Sequence, residues 1–213
     1  MMIRPSHHPA EEFLLDYADG SLGEASALVI ATHLALCPDC RNKVADLEAI
    51  GGALLDAERL EPVSMPCLDA MMARLGEPQP LTRREKPPQL TALPPDILMI
   101  PEPLRGYIGA PLSSLGWRQL RPGIEDVDLG IGQAPAQTRL FRIMPGVVTP
   151  RHGHCGTEMA LVLAGGYRDE QGNCCRGDVF IYDSTVEHSP VADHGEPCLC
   201  LVVTDAPLLF MDD

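Results

Sequence analysis

His33-Leu34-Ala35-Leu36-Cys37-Pro38-Asp39-Cys40 sets a histidine four positions before one cysteine and seven before a second. If the chain is helical up to Cys37, His33 and Cys37 lie on one face, close enough to share an ion. Pro38 suits the first turn of a following helix, from which Cys40 points back to the same place. Three nitrogen and sulfur donors are an incomplete tetrahedron, so a fourth must come from elsewhere in the chain. His7 and His8 are the nearest candidates. A buried pair of thiols without metal would leave the upstream histidine unexplained.

Short helices surround this stretch. Pro9 to Ala18 reads as the first, with Glu11 and Glu12 complementing its positive end and Gly20 stopping it. Phe13, Leu14 and Tyr17 form its apolar face. The second runs from about Gly23 to Cys37, and the third from Pro38 to about Glu58. The third carries Val44, Leu47, Ile50, Leu54 and Leu55, interrupted by Gly51-Gly52, where a bend or the close approach of another chain is expected. Ser64 suits the N-cap of a fourth helix, whose Leu68, Met71, Met72 and Leu75 follow an i, i+3, i+4, i+7 stripe ended by Gly76. That stripe is either core or a surface for a partner, since methionine-rich faces adapt to other proteins. Residues 1–78 are therefore expected to form a small all-α unit. A metal would supplement its thin core.

Net charge is −14, with 13 acids and 5 bases in residues 1–80 and 15 acids and 8 bases in residues 101–213. Such a chain has no basic stripe to neutralise phosphates, so direct nucleic-acid binding is not expected; a basic protein is a better match. No apolar run reaches the length of a membrane span, and no secretory signal is present. Eight cysteines in that context suggest a reducing, cytoplasmic compartment. Residues 79–100, with Arg83, Arg84, Lys86 and repeated prolines, read as a semi-rigid linker.

Beyond Trp117 helical periodicity gives way to short β-prone runs: Arg139–Met144, Met159–Leu163, Val179–Tyr182, Cys198–Val203 and Leu208–Met211. They suggest an all-β barrel or sandwich over residues 101–213. Gly165-Gly166 and Glu170-Gln171-Gly172-Asn173 are expected to be hairpin turns. His152 and His154, two apart, would point to the same side of a strand, with Glu158 at even spacing and His188 further on. Three imidazoles and a carboxylate suit Zn²⁺, Mn²⁺ or Fe²⁺.

Two resemblances follow from these residues. His8 with His33-x3-Cys37-x2-Cys40 resembles the zinc-binding anti-sigma domain, which implies Zn²⁺ on those four residues and helices that clamp an extracytoplasmic-function sigma factor. Gly146-x5-His152-x-His154-x3-Glu158-x6-Gly165 resembles the first cupin motif in full. Gly177 and His188 match the second in part, with Asp183, Thr185 and Ala192 in place of the usual proline, glycine and asparagine. Together the two look like the ChrR family of soluble anti-sigma factors. Membership implies a cupin barrel that also holds zinc, about two ions per chain. It further implies a 1:1 complex with the sigma factor, and release of that factor on singlet-oxygen or organic-hydroperoxide stress. Cys198 and Cys200 match a Cys-x-Cys pair of that family and are candidate redox sensors, as is Cys155 between the metal-ligand candidates; Cys174-Cys175 carries no assigned role. Leu68, Met71, Met72 and Leu75 are the candidate partner-binding residues. The rival is a metal-dependent cupin enzyme of dioxygenase or isomerase type, but no enzyme explains the attached helical unit. No catalytic residue is assigned.

Overall fold

The computed structural model describes residues 4–75, 77, 95–132 and 135–211. The Gly76 helix stop and residues 79–94 of the expected linker lie outside those residues. The first helix, α1 (Glu11–Ala18), opens on its two acidic residues and buries Leu14. The second, α2 (Glu24–Leu36), buries Ala25, Leu28, Val29, Ile30, Thr32, His33 and Leu34, positions that go round most of its circumference. A helix apolar on all sides must be covered on all sides. Helix α3 (Pro38–Ala57) starts at Pro38 with Cys37 as its N-cap, whose sulfur accepts from the Cys40 N–H.

Only the first half of α3 is packed. Val44 is buried, whereas Ile50, Leu54 and Leu55 are 60%, 66% and 75% exposed. The Gly51-Gly52 pair meets no close approach; a Cβ at either would find open space. Helix α4 (Met65–Arg74) buries none of its residues, and Ser64, though it stands at the N-cap, makes no side-chain capping bond. Of the two readings of the α4 stripe, packing into a helical core is therefore not the one observed.

Two further helices precede the strands: α5 (Pro95–Leu98), where the linker was expected, and α6 (Glu102–Ile108), at the start of the segment expected to be all-β. Ile97, Ile100 and Leu104 are buried, so the chain is already packed before residue 101. Their periodicity spans too few turns to register in the sequence.

The strands are β1 (Arg118–Arg121), β2 (Ile124–Asp128), β3 (Gln137–Ile143), β4 (His152–His154), β5 (Glu158–Ala164) and β6 (Gly166–Asp169). After them come β7 (Gly172–Cys175), β8 (Val179–Tyr182), β9 (Glu187–His188), β10 (Val191–Ala192), β11 (Cys198–Thr204) and β12 (Leu208–Phe210). They pair antiparallel into a six-stranded sheet, β1-β2-β3-β11-β5-β8, and two three-stranded sheets, β10-β6-β7 and β12-β4-β9. This is a cupin-like β domain. Glu170-Gln171 turns the β6–β7 hairpin as expected. Gly165 does not turn a hairpin: β5 and β6 lie in different sheets, and Gly165 is a corner at φ +63° where a Cβ would come within 2.7 Å of the Pro197 carbonyl.

The large sheet separates two cores. Leu140, Met159, Leu161, Leu163, Leu201 and Val203 point to the helices and share one cluster with Leu14, Leu28, Val29, Ile30, Ile100 and Leu104. On the other side Ile143, Ala160, Val162, Cys198, Cys200, Phe180 and Tyr182 form the second. The alternation follows from the two-residue period of a strand. Every residue of β5 is buried, because both faces of that strand are covered.

Candidate metal centres and the cavity behind the large sheet

The end of α2, the start of α3 and the arm before α1 bring His8, His33, Cys37 and Cys40 together, one donor atom from each within 4.8 Å of the rest. His8 Nδ1 lies 3.4 Å from both sulfurs. His7 faces away: its Nδ1 is 3.3 Å from an Asp178 carboxylate oxygen, and its ring sits 4.4 Å from that of Phe180. Burial pushes the Cys40 thiol up to about 12, with the neighbouring Cys37 adding to the rise. By itself the Cys40 thiol would stay protonated; a cation beside it favours the thiolate.

His33 Nδ1 donates to the Gly177 carbonyl at 2.7 Å, which fixes the neutral tautomer and leaves Nε2 as a bare acceptor. That Nε2 is buried without a hydrogen-bond partner. A buried orphan acceptor among two sulfurs and a second imidazole fits a bound divalent ion.

His152 and His154 on β4, Glu158 at the head of β5 and His188 on β9 make the second cluster, all buried and again with donors within 4.8 Å. Three outward hydrogen bonds set its electronics. His152 Nδ1 donates to the Pro150 carbonyl at 2.8 Å, His154 Nδ1 to Val186 at 3.0 Å, and His188 Nδ1 to the Asp169 carboxylate at 2.9 Å. Each Nε2 is then a lone pair aimed inward. His152 and His188 set theirs 2.9 Å apart, and His154 Nε2 has no hydrogen-bond partner. Lone pairs do not converge at that distance without something positive between them, so the donor set fits a cation. Burial lowers His152 to about 4 and raises Glu158 to about 7, so each of these two groups favours its neutral form. Asp169 also accepts from Tyr182 Oη, which is 2.9 Å from Tyr167 Oη. Sequence reading missed this outer shell, because Asp169 and the tyrosines carry no motif spacing.

The sulfurs of Cys198 and Cys200 lie 3.4 Å apart and buried, on the inward face as their two-residue spacing implies. Cys155 is exposed, and nothing places it with them. Cys174, passed over in the sequence, is fully buried in the same inner core. Cys200, Glu158, His152 and His188 line one wall of a cavity of about 420 Å³, to which all three sheets contribute.

The two clusters are joined. Asp178 accepts from the backbone N–H of Ser6 (2.6 Å), His7 (3.0 Å) and Cys175 (2.8 Å). Val179 N–H in turn donates to the His7 carbonyl. Gly177, at φ +94°, lets Pro5 pack where a Cβ would come within 2.7 Å of its Cγ. The arm that carries His8 is thus an extra strand-like contact at the start of β8. The far end of β8, Tyr182, stacks on His154 and sits 4.2 Å from the His188 ring. No helix among the described residues is long and apolar enough to cross a membrane.

Residues 108–207 match the model of the ChrR cupin-like domain, and residues 9–41 match a zinc-finger family. The second match begins one residue after His8 and holds the other three members of that cluster. The chain is 40% identical over 212 residues to the anti-sigma-E factor ChrR of Cereibacter sphaeroides, covering 99% of this chain and 93% of that one. It also superimposes on the crystal structure of Rhodobacter sphaeroides SigE in complex with the anti-sigma ChrR. There the TM-score is 0.78 at 38% identity, over 93% of this chain and 98% of that one.

Proposed function

The chain belongs to the ChrR family of anti-sigma factors, and from that premise we propose how its parts divide the work. It is an anti-sigma factor that binds and inhibits a sigma factor of the extracytoplasmic-function class, not an enzyme. The observation that carries this is likeness over the whole length, helices and cupin together, to a protein of that activity.

In the proposed arrangement residues 1–78 hold the sigma factor, residues 79–100 connect, and residues 101–213 form the cupin barrel. The barrel reading is supported by the cavity that all three sheets line. His8, His33, Cys37 and Cys40 would hold a structural Zn²⁺ that ties the arm, α2 and α3 together. His152, His154, Glu158 and His188 would hold a second divalent ion, zinc or another. A bound ion supplies positive charge that makes the inward lone pairs favourable; the chain's own residues set their direction.

The partner surface is proposed on the outer half of α3 and on α4. Leu68, Met71, Met72 and Leu75 are 44%, 61%, 59% and 74% exposed on one stripe. Exposed apolar stripes of that size on a helix mark interaction sites. The acidic charge of the same region favours the basic surface of a sigma factor over nucleic acid. Inhibition is then competition for surfaces that would otherwise meet RNA polymerase, in a cytoplasmic 1:1 complex. Oxidative stress, sensed at the cupin through its metal or through Cys198 and Cys200, would loosen that grip.

Co-expression with an extracytoplasmic-function sigma factor from the same organism tests the reading. The expected result is a 1:1 complex on size exclusion, about two metal ions per chain, and transcription repressed in vitro. A chain that neither binds nor represses any such factor would sink it.

A further inference from the structure

The cavity behind the large sheet has a charge at odds with the rest of the molecule. The protein carries −14, yet the charged residues on the cavity wall include three guanidinium groups, Arg118, Arg121 and Arg139. Against them stand two carboxylates. Asp126 is buried and held by Arg118 (3.0 Å) and by Arg139, while Glu158 belongs to the histidine cluster at the other end. Arg121 has no ion pair or side-chain hydrogen bond among the described residues. A cation held by the cluster would raise the positive charge further. Apart from the two histidines of the cluster and Gln137, Thr149, Tyr167 and Thr204, the remaining wall is apolar, with Ile124, Phe141, Ile143, Val202 and Phe210 among its residues. Leu120, 43% exposed and next in the chain to Arg121, puts a greasy side chain beside the arginines, while Phe210, 56% exposed, covers the other end with its ring 5.7 Å from that of His152. About 420 Å³ is within the range of small-molecule sites.

We propose that this cavity binds one small amphiphilic anion, a medium-chain aliphatic carboxylate. Its head group sits on Arg121 and the Arg118 side of the rim, and its tail runs inward past Phe141 and Val202 to the wall formed by Cys200, His152 and His188. An apolar body is favoured because most of the wall offers a buried polar group no partner; Gln137, Thr149, Thr204 and the Tyr167 hydroxyl, already bonded to Tyr182, are the polar exceptions. An anionic head is required because a free guanidinium at an apolar mouth gains most from a carboxylate, which it can bind in two-point fashion. The tail, not the head, then approaches the thiols and the histidine cluster, so chain chemistry is what the inner end would meet. This deepens the regulatory reading, on which it rests for its consequence but not for its measurement.

The test is calorimetric titration of the full-length, metal-loaded chain with hexanoate, octanoate and decanoate, and with decanol as the uncharged probe. Affinity should rise about fourfold per added methylene while the tail still finds apolar wall. Decanoate should bind better than decanol. Arg121→Gln should weaken decanoate about tenfold and leave decanol unchanged, with Arg121→Lys recovering part of the loss. Arg121 is exposed and holds no ion pair or side-chain hydrogen bond among the described residues, so its variants keep the fold; circular dichroism and metal content check that. Several results would overturn the proposal: no binding by any carboxylate, equal affinity for decanol, or decanoate affinity indifferent to Arg121→Gln. Binding lost in His152→Ala but kept in Arg121→Gln would put the head on the metal and overturn it equally. Sigma-factor binding, measured separately by size exclusion, can fail without touching any of these outcomes.

Discussion

Each of the buried imidazoles divides its two nitrogens between two tasks. In His33, Nδ1 holds the Gly177 carbonyl and Nε2 turns to the sulfurs. His33→Ala or Cys40→Ser removes a donor from the helical cluster. The expected outcome is about one metal ion fewer per chain, loss of helical circular dichroism and loss of sigma repression. Retained repression with one ion missing would count against a structural zinc there. For His152→Ala or Glu158→Ala the cluster lies behind the large sheet, away from the helices. Those variants should lose the other ion, keep sigma binding and respond weakly to stress.

Asp178 has its own pH signature. Burial pushes its carboxyl up, but the N–H groups of Cys175, His7 and Ser6 together outweigh that and hold it below the ordinary 3.8. A group whose folded value is depressed contributes stability above its unfolded value and loses it as pH falls through the folded one. The arm carrying His8 should therefore come loose below about pH 4, read as faster amide exchange at Ser6 and His7. In Asp178→Asn the loosening should be present already at neutral pH.

Among the elements, α4 and α2 are opposites. Helix α4 has an apolar stripe and nothing buried; α2 has no single apolar face and buries more than half of its residues. Substituting α4 should leave stability untouched and affect only association. Met71→Asp or Leu75→Asp is expected to weaken the sigma complex by about 2 kcal/mol, with the melting temperature of the free chain unchanged. Equal affinity for wild type and variant would remove α4 from the interface. The strand β8 runs between the two clusters and meets a neighbour of each at its ends. It starts at the Asp178 contact with the arm and ends at Tyr182 on the histidines, four residues later.

At the scale of the whole molecule, the helices and the cupin share one core across the large sheet. Leu161→Ala or Leu201→Ala, in strands but facing α2, should cost about 2–5 kcal/mol and lower a single cooperative transition for both parts. Two separated transitions would show that the halves melt independently. Part of each candidate metal cluster was legible because its spacing is local. Four residues on a helix and two on a strand put donors side by side whatever the rest of the chain does. The choice of His8 over His7 was legible only through the family interval, and the structure shows its physical basis, since Asp178 draws His7 away. Helices α5 and α6, strands β1 and β2, the Asp169–tyrosine shell and the burial of Cys174 left no readable pattern. Each is made by contacts between residues far apart in the chain.

What the sequence determined alone is the local chemistry: two sets of candidate metal donors, an acidic helical segment, a β-rich segment and a helix with an apolar stripe. Only the tertiary structure decided how they meet. It laid α2 on the large sheet, ran the His8 arm along β8, and closed three sheets' worth of side chains around a cavity with arginines at its rim. Period and spacing fix which residues share a face, but the partner of a face is chosen by burial and hydrogen bonding across the fold. No local pattern records that choice.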